Sequence, residues 1–349
     1  MIMNRDSLKE YYGRILKNSS HLATNACSCS EESMPESVRN ITRLLEPEIL
    51  ERFYGCGSPI PPLTAGCRIL DLGCGTGRDV YILSKLAGES GFVTGIDMTD
   101  EQLAVAMRHV ESQMHRFSFS RPNVAFIRGY IEDLSSCGIE DNSIDIVVSN
   151  CVINLSPDKP SVFREIYRVL KPGGELLFSD VFADRRIRAE LQNDPLLHGE
   201  CLSGALYRED FRRLMDEAGF RDFRITSRSP ISIGNPEVAD AIGMAGFTSE
   251  TVRTFKISSL EDRCEDYGQT AAYHGTVNGH PHRFDLDDHH RFVTGKPLLV
   301  CGNTASMLQE TRYSRHFTVT GDRSVHFGLF DCTSSSSLPD ANAGTCCCL

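Results

Sequence analysis

No two cysteines in this 349-residue chain are spaced C-x-x-C, although fourteen are present. That absence excludes the ligand spacing of zinc fingers and ribbons. No run of eighteen or more apolar residues occurs, so no segment reads as a transmembrane helix. The opening MIMNRDSLKEYYGRILKNSS is charged and patchy and lacks the apolar centre of an export signal. A secreted disulfide scaffold would be shorter and would carry such a signal. These gaps together read as a cytoplasmic protein whose thiols are largely reduced. Basic charge is in deficit, with 36 Lys and Arg against 47 Asp and Glu, a formal net charge of -11. A nucleic-acid backbone or an anionic membrane would want basic patches, so neither is an expected partner. There is no internal repeat, and nothing demands more than a monomer.

What is present has a clear texture. Residues 1–66 read as helical and irregular. From Cys67 onward, short apolar runs alternate with segments of helical spacing. CRILDLG, GFVTGID, NVAFIRG, SIDIVVSN and GELLFSDVF read as strands. Between them, GRDVYILSKLA, TDEQLAVAMRHV and SVFREIYRVL read as helices. Thr99 with Gln102 forms a capping-box pattern, Ser161 is the expected N-cap of the third helix, and Gly173–Gly174 its expected stop. Alternating strands and helices mean a parallel sheet with crossovers, a doubly wound α/β fold. YREDFRRLMDEAGF adds a helix and FRITSRS a strand, carrying this domain from 67 to 230. Beyond it, TVRTFKI, HRFDLDDHHRFV and HFTVT read as short strands of a smaller α+β domain over 231–330. Residues 331–349 have no core-forming pattern and are expected to be a disordered, cysteine-terminated tail.

The densest chemistry lies in ILDLGCGTGR, where a strand runs into Gly73, Gly75 and Gly77 and a helix follows. Glycines let backbone approach a ligand closely. Asp97 closes the next strand about twenty residues on, where an acid can accept both hydroxyls of a ribose. The glycine spacing is G-x-G-x-G rather than the dinucleotide G-x-G-x-x-G, and Asp71 stands beside the loop. An acid there suits a cationic or amino-bearing ligand better than a pyrophosphate. The loop, GID and LKPGGELLFSD, in that order, resemble the class I S-adenosylmethionine methyltransferases, whose sheet is Rossmann-like. The resemblance places Asp71 near the methionine amino group, Asp97 on the ribose, and Ile131 and Glu132 of GYIEDL near the adenine. Met98 and Asn150 are taken as further cofactor contacts.

A more specific resemblance rests on DIVVSNCVINLSPDK, with YYG at 11–13, YGCG at 54–57 and GECLSGALY at 199–207. These resemble the arsenite methyltransferase family over about residues 8–320. The resemblance implies four functional cysteines: Cys27 in TNACS, Cys56 in FYGCGSP, Cys151 in SNCVINL and Cys201 in GECLSG. By analogy Cys151 and Cys201 hold trivalent arsenic, and Cys56 joins them or acts as a redox partner of Cys27; it is taken as a third ligand and the nucleophile for disulfide exchange, with Cys27 as its partner. Cys29 lies close enough to replace Cys27. The family also implies that Cys151→Ser or Cys201→Ser abolishes methylation, whereas Cys56→Ser and Cys27→Ser spare the second step.

Thiols are the right donors for this substrate, because trivalent arsenic is soft and thiophilic. Three sulfurs form a pyramid and leave one lone pair on arsenic as the nucleophile. No general base is required, since arsenic loses no proton. Methylation formally oxidises arsenic, and a disulfide among the cysteines could return the electrons. An external thiol reductant such as thioredoxin or glutathione would then reset the enzyme.

Other features are read more plainly. Cys74 in the glycine loop is taken as packing, and Cys67, Cys137, Cys264, Cys301 and Cys332 as structural or unassigned. The terminal CCCL fits a prenylation signal poorly, because its middle positions are not aliphatic and the preceding tail is not basic. It could instead capture arsenite as a thiol cluster. YHGTVNGHPHRFDLDDHHRF reads as two exposed strands with VNGHP as their turn rather than as a metal site. Two rival functions stand beside arsenite methylation: a methyltransferase for a small organic acceptor, and a thiol-rich protein that sequesters metalloid without turnover.

Overall fold

A computed structural model describes residues 34–53, 55–191, 194, 197 and 201–332. Its centre is a mostly parallel sheet. β1 (Arg68–Leu72), β2 (Phe92–Asp97), β3 (Val124–Arg128), β4 (Ile144–Asn150) and β5 (Leu170–Ala183) run side by side in the order 3-2-1-4-5. The short β6 (Leu206–Tyr207) pairs with the end of β5. β7 (Phe223–Pro230) and β8 (Phe247–Phe255) complete the sheet as 5-8-7, with β8 antiparallel to both neighbours. TVRTFKI, expected in the smaller domain, is therefore largely a strand of the large sheet. Its partner β5 is some seventy residues away in sequence, a pairing that no local pattern announces.

Alternation along each strand explains the two cores, because successive side chains leave opposite faces. Leu70, Leu72 and Val147 enter one core with Phe163, Phe178, Phe211 and Met215. Ile69, Ile146 and Val148 enter the other with Val80, Tyr81 and Leu83. The first face is covered by α6 (Lys159–Val169) and α7 (Arg208–Ala218), the second by α3 (Arg78–Ala87). Two N-terminal helices, α1 (Glu36–Thr42) and α2 (Pro47–Glu51), join the second core through Val38, Ile41 and Ile49. The helices α4 (Asp100–Arg108) and α5 (Val110–Phe117) connect β2 to β3, and α8 (Pro236–Ile242) lies between β7 and β8.

One expected cap and two helix boundaries differ from the sequence reading. Thr99 is the N-cap residue of α4 but makes no side-chain cap, because its N–H, 2.8 Å from Asp97 Oδ1, and its hydroxyl both serve Asp97. α6 starts earlier than Ser161: Asp158 is its N-cap and accepts the Ser161 N–H at 3.1 Å. α6 ends at Val169, ahead of the glycines, because Leu170 is already extended and begins β5.

The smaller domain has a three-stranded sheet of β13 (Leu298–Val300), β10 (Gln269–Tyr273) and β14 (Phe317–Thr320), all antiparallel. α9 (Gly302–Gln309) packs beside it. The hairpin expected about VNGHP does not form, since β10 pairs with β13 and β14; the hairpin here is β11 (Arg283–Asp285) with β12 (Arg291–Val293), turned at Leu286–His290. Nor are its strands simply exposed, since Phe284 and Phe292 are buried. Two smaller strands, β9 (Glu265–Asp266) and β15 (Gly328–Leu329), pair with each other. Glu175 on β5 ties the domains together, accepting from Arg253 Nε at 2.8 Å and from Tyr313 Oη at 3.1 Å, with Arg312 at 2.5 Å.

Candidate active site

In an open α/β sheet a ligand crevice forms where strand order reverses, at the carboxyl ends of the strands. Here that place is the gap between β1 and β4. A cleft of about 1090 Å³, part of it open to solvent, lies there. Asp71, Gly73, Gly75, Asp97, Met98, Ile131, Glu132, Asn150 and Cys151 all line it. Gly77 does not. It takes a left-handed φ of 84° as the N-cap of α3 and packs near Phe126, where a Cβ would lie 2.9 Å from the ring.

The glycine loop fits a close-lying ligand for a steric reason. Gly73 has φ +73°, and a Cβ there would sit 2.4 Å from Val152, so only glycine lets the loop pack against the segment after β4. Gly75 has φ +53° and donates its N–H to Asp97 Oδ2 at 2.9 Å. Asp97 thus braces the loop while still facing the cleft. Burial raises the Asp97 carboxyl, and the Thr99 and Gly75 N–H groups oppose that rise. Burial also lifts Asp71 well above the usual carboxylate range, reinforced by Asp79 and Asp97 and opposed by Arg78. Three acids around one cleft favour a ligand that brings positive charge. That donor set suits S-adenosylmethionine, whose sulfonium and amino groups bring positive charge and whose ribose offers hydroxyls to a carboxylate.

The thiols meet beside this cleft. Cys151 follows the last residue of β4, and its N–H donates to Ser179 O at 2.8 Å. Cys151 has φ 60° and Cys201 φ 61°, two of the five non-glycine residues in the left-handed region among the described residues. Such backbone costs about 1–3 kcal/mol per residue and concentrates at functional sites. The Cys201 thiol points to Cys151 O at 3.6 Å. Its loop packs so closely that a Cβ on Gly204 would lie 2.2 Å from Asn154 O.

Cys56 arrives from a distant segment, and three elements hold it there. Arg78 lies 3.9 Å over the Phe53 ring, Asn150 bonds Gly57, and Ser249 Oγ donates to Cys56 O at 2.7 Å. Gly57 permits this approach, since a Cβ there would be 2.3 Å from Ser179 Oγ. The Cys56 and Cys151 sulfurs and an Asp180 oxygen all lie within 4.8 Å of one another. Cys201 stands outside that set. Burial raises the Cys56 thiol, against a hydrogen bond with Cys151. Cys27 lies outside the described residues, as do Cys29, Tyr54 and the terminal cysteines. Cys74 lines the cleft and packs in the second core, its sulfur 2.7 Å from a Cβ built on Gly95.

Sequence reasoning missed Asp180, although it ends the quoted LKPGGELLFSD. Asp180 is buried and accepts from Asn154 N at 3.0 Å and Asn154 Nδ2 at 2.7 Å, which fixes the turn after Cys151. Burial first, then the charge of Cys201, pushes its carboxyl up to about 8. Lys159 lies close by and is lowered by burial, with Asp180 and Cys201 opposing that fall. An acid at the carboxyl end of a strand was the available signal. Asn150, read as a cofactor contact, lines the cleft but spends its amide on Gly57 and on Asp79 Oδ2, 3.1 Å away.

Comparison with known proteins agrees with this geometry. Residues 63–219 match the methyltransferase domain family, and residues 267–347 match the arsenite methyltransferase C-terminal domain. An arsenite methyltransferase of Aquipseudomonas alcaligenes is 53% identical over 326 residues, 93% of each chain. The arsenite methyltransferase of Homo sapiens is 42% identical, covering 89% of this chain and 82% of that one. The crystal structure of an arsenic(III) S-adenosylmethionine methyltransferase from Chlamydomonas reinhardtii superposes with a TM-score of 0.83 at 52% identity, covering 85% of this chain and all of that one. With a braced glycine loop and converging thiols behind such likeness, the chain belongs to the arsenite methyltransferase family.

Proposed function

We propose that this protein transfers methyl groups from S-adenosylmethionine to thiol-bound trivalent arsenic, giving mono- and dimethylated products in succession, with a third transfer open to the same chemistry. The observation that carries this reading is that Cys151 lines the cleft with Asp71 and Asp97 while sharing one buried cluster with Cys56 and Cys201. Bound in that cleft, S-adenosylmethionine supplies an electrophilic sulfonium methyl. Asp97 and the Gly75 backbone hold its ribose end, and Asp71 its amino end. Cys151 and Cys201 are the permanent arsenic ligands, and Cys56 is the third. Cys201 joins them by turning its thiol away from the Cys151 carbonyl. The chain's contribution is to hold the arsenic lone pair in line with the methyl group, an effect worth several kcal/mol.

After transfer arsenic is formally pentavalent. Attack by a further thiolate, assigned to Cys27, on the arsenic-bound sulfur of Cys56 forms an S–S bond and breaks an As–S bond. The electron pair of the broken bond stays on arsenic and restores the trivalent state. An external dithiol such as thioredoxin, or glutathione, then reduces the disulfide. We read the compartment as cytoplasmic, where thiols such as the described free cysteines stay reduced. No helix of the described residues is long and apolar enough to cross a membrane. We read the working unit as a monomer.

The test is to incubate the reduced protein with arsenite, S-adenosylmethionine and a thiol reductant, then separate arsenic species with element-specific detection. Methylated arsenic that disappears in Cys151→Ser and in Cys201→Ser is the expected result. Normal turnover by Cys201→Ser would sink the assignment. Methylation of organic acceptors that survives thiol blocking would favour the small-acceptor alternative.

A further inference from the structure

The smaller domain gathers a second group of thiols that the methyl-transfer site does not use. Cys264, Cys301 and Cys332 are all buried, and their three sulfurs lie within 4.8 Å of one another. They come from separate segments. Cys264 precedes β9, Cys301 is the N-cap of α9, and Cys332 follows β15. The β9–β15 pairing and the Phe330 N–H, which donates to Cys264 O at 2.8 Å, bring the last segment onto the first. None of the three lines the cleft beside β1 and β4.

Buried thiols often do no more than fill space. Here, however, polar groups surround the sulfurs. Arg224 Nη2 donates to Cys301 Sγ at 3.7 Å and to Cys264 Sγ at 3.9 Å. The Thr304 N–H donates to Cys301 Sγ at 3.4 Å. Cys332 also has ligand atoms of His289 and His290 within 4.8 Å, and His289 Nε2 is buried with no hydrogen-bond partner among the described residues. The Thr304 contact is the cap of α9 and Arg224 is also paired with Asp222 and Asp287, but the unpartnered His289 Nε2 beside Cys332 is not explained by apolar packing.

The donor set selects the ligand. Zinc asks for four donors in a tetrahedron, yet no four ligand atoms at this place lie mutually within 4.8 Å among the described residues. Trivalent arsenic takes three soft sulfurs on one side of a pyramid, and its tris-thiolate is neutral. We propose that Cys264, Cys301 and Cys332 form a second binding site for trivalent arsenic, one that retains the substrate away from the methyl donor. Loading replaces three As–O bonds of arsenous acid with three As–S bonds. Each thiol proton leaves with a hydroxide as water, so arsenic stays trivalent and nothing is oxidised. This inference rests on the proposed substrate but not on the assignment of Cys56, Cys151 and Cys201.

The test counts arsenic per chain. Fully reduced, full-length protein is saturated with arsenite and desalted, and bound arsenic is measured by element-specific detection. Wild type is expected to hold more arsenic than Cys151→Ser/Cys201→Ser, which still holds one atom bound by three sulfurs in its X-ray absorption spectrum. Adding Cys332→Ser removes that atom, whereas adding Cys346→Ser/Cys347→Ser/Cys348→Ser leaves it. Circular dichroism checks the fold, and Cys301→Ser serves where Cys332→Ser does not fold. Three results would each overturn the site: no arsenic on the Cys151→Ser/Cys201→Ser protein, arsenic that survives Cys332→Ser, or one zinc per chain lost with Cys332→Ser. Two-site binding without any methylated product would instead sink the functional reading and leave this site standing.

Discussion

Asn150 holds Gly57 from both sides: its Nδ2 donates to Gly57 O at 2.9 Å, and the Gly57 N–H donates to its Oδ1 at 3.3 Å. The residue before Cys151 thus fixes the residue after Cys56. One amide sets the spacing of two thiols that are 95 positions apart in sequence (151 − 56).

Asn150→Ala should therefore act through Cys56. Leaving buried partners unpaired costs about 1–3 kcal/mol, so methylation of arsenite is expected to fall about tenfold or more. Turnover of monomethylated arsenic should be largely retained, as expected for Cys56→Ser. Calorimetric titration with S-adenosylmethionine should give an affinity close to wild type. Loss of that affinity, with the arsenic steps intact, would make Asn150 a cofactor contact instead.

Asp97→Ala removes both the acceptor for a ribose and the brace on the Gly75 N–H. Hydrogen bonds to a charged group contribute about 1.5–3 kcal/mol, so S-adenosylmethionine should bind about 10- to 100-fold more weakly. Arsenite binding, read by arsenic content, should not change. A dissociation constant near that of wild type would remove Asp97 from the cofactor site.

Asp180 should leave a signature in stability against pH. Its folded carboxyl is raised to about 8, above the ordinary carboxylate value, so the native state binds this proton more tightly than the unfolded state. The associated stability is full below the unfolded value and is lost as pH rises through about 8. Urea midpoints should fall across that window for wild type and stay flatter for Asp180→Asn. Parallel curves for the two proteins would contradict this account.

Glu175 is buried between Arg253 and Arg312, and burial alone would raise its carboxyl. The two guanidinium groups outweigh burial and hold it low. Glu175→Gln leaves two buried cations without their carboxylate and should cost about 3–5 kcal/mol. Thermal denaturation should show the loss. An unchanged midpoint would mean that Arg253 and Arg312 find other partners.

The sequence alone determined the nucleotide-type half of this protein. ILDLGCGTGR, GID and the alternating apolar runs are local signals, because strand and helix periodicities and glycine freedom act over a few residues. The cysteine motifs could be named from resemblance, but their convergence could not be read from their spacing. Cys56 and Cys151 meet, with Cys201 packed beside them, because β4, β5 and β8 pair and because Asn150, Ser249 and Arg78 pin a remote loop there. The same holds for β8 in the large sheet, for the acid at Asp180, and for Cys264, Cys301 and Cys332. Each depends on contacts between segments far apart in the chain, and such contacts are set by how the whole core packs rather than by any local pattern.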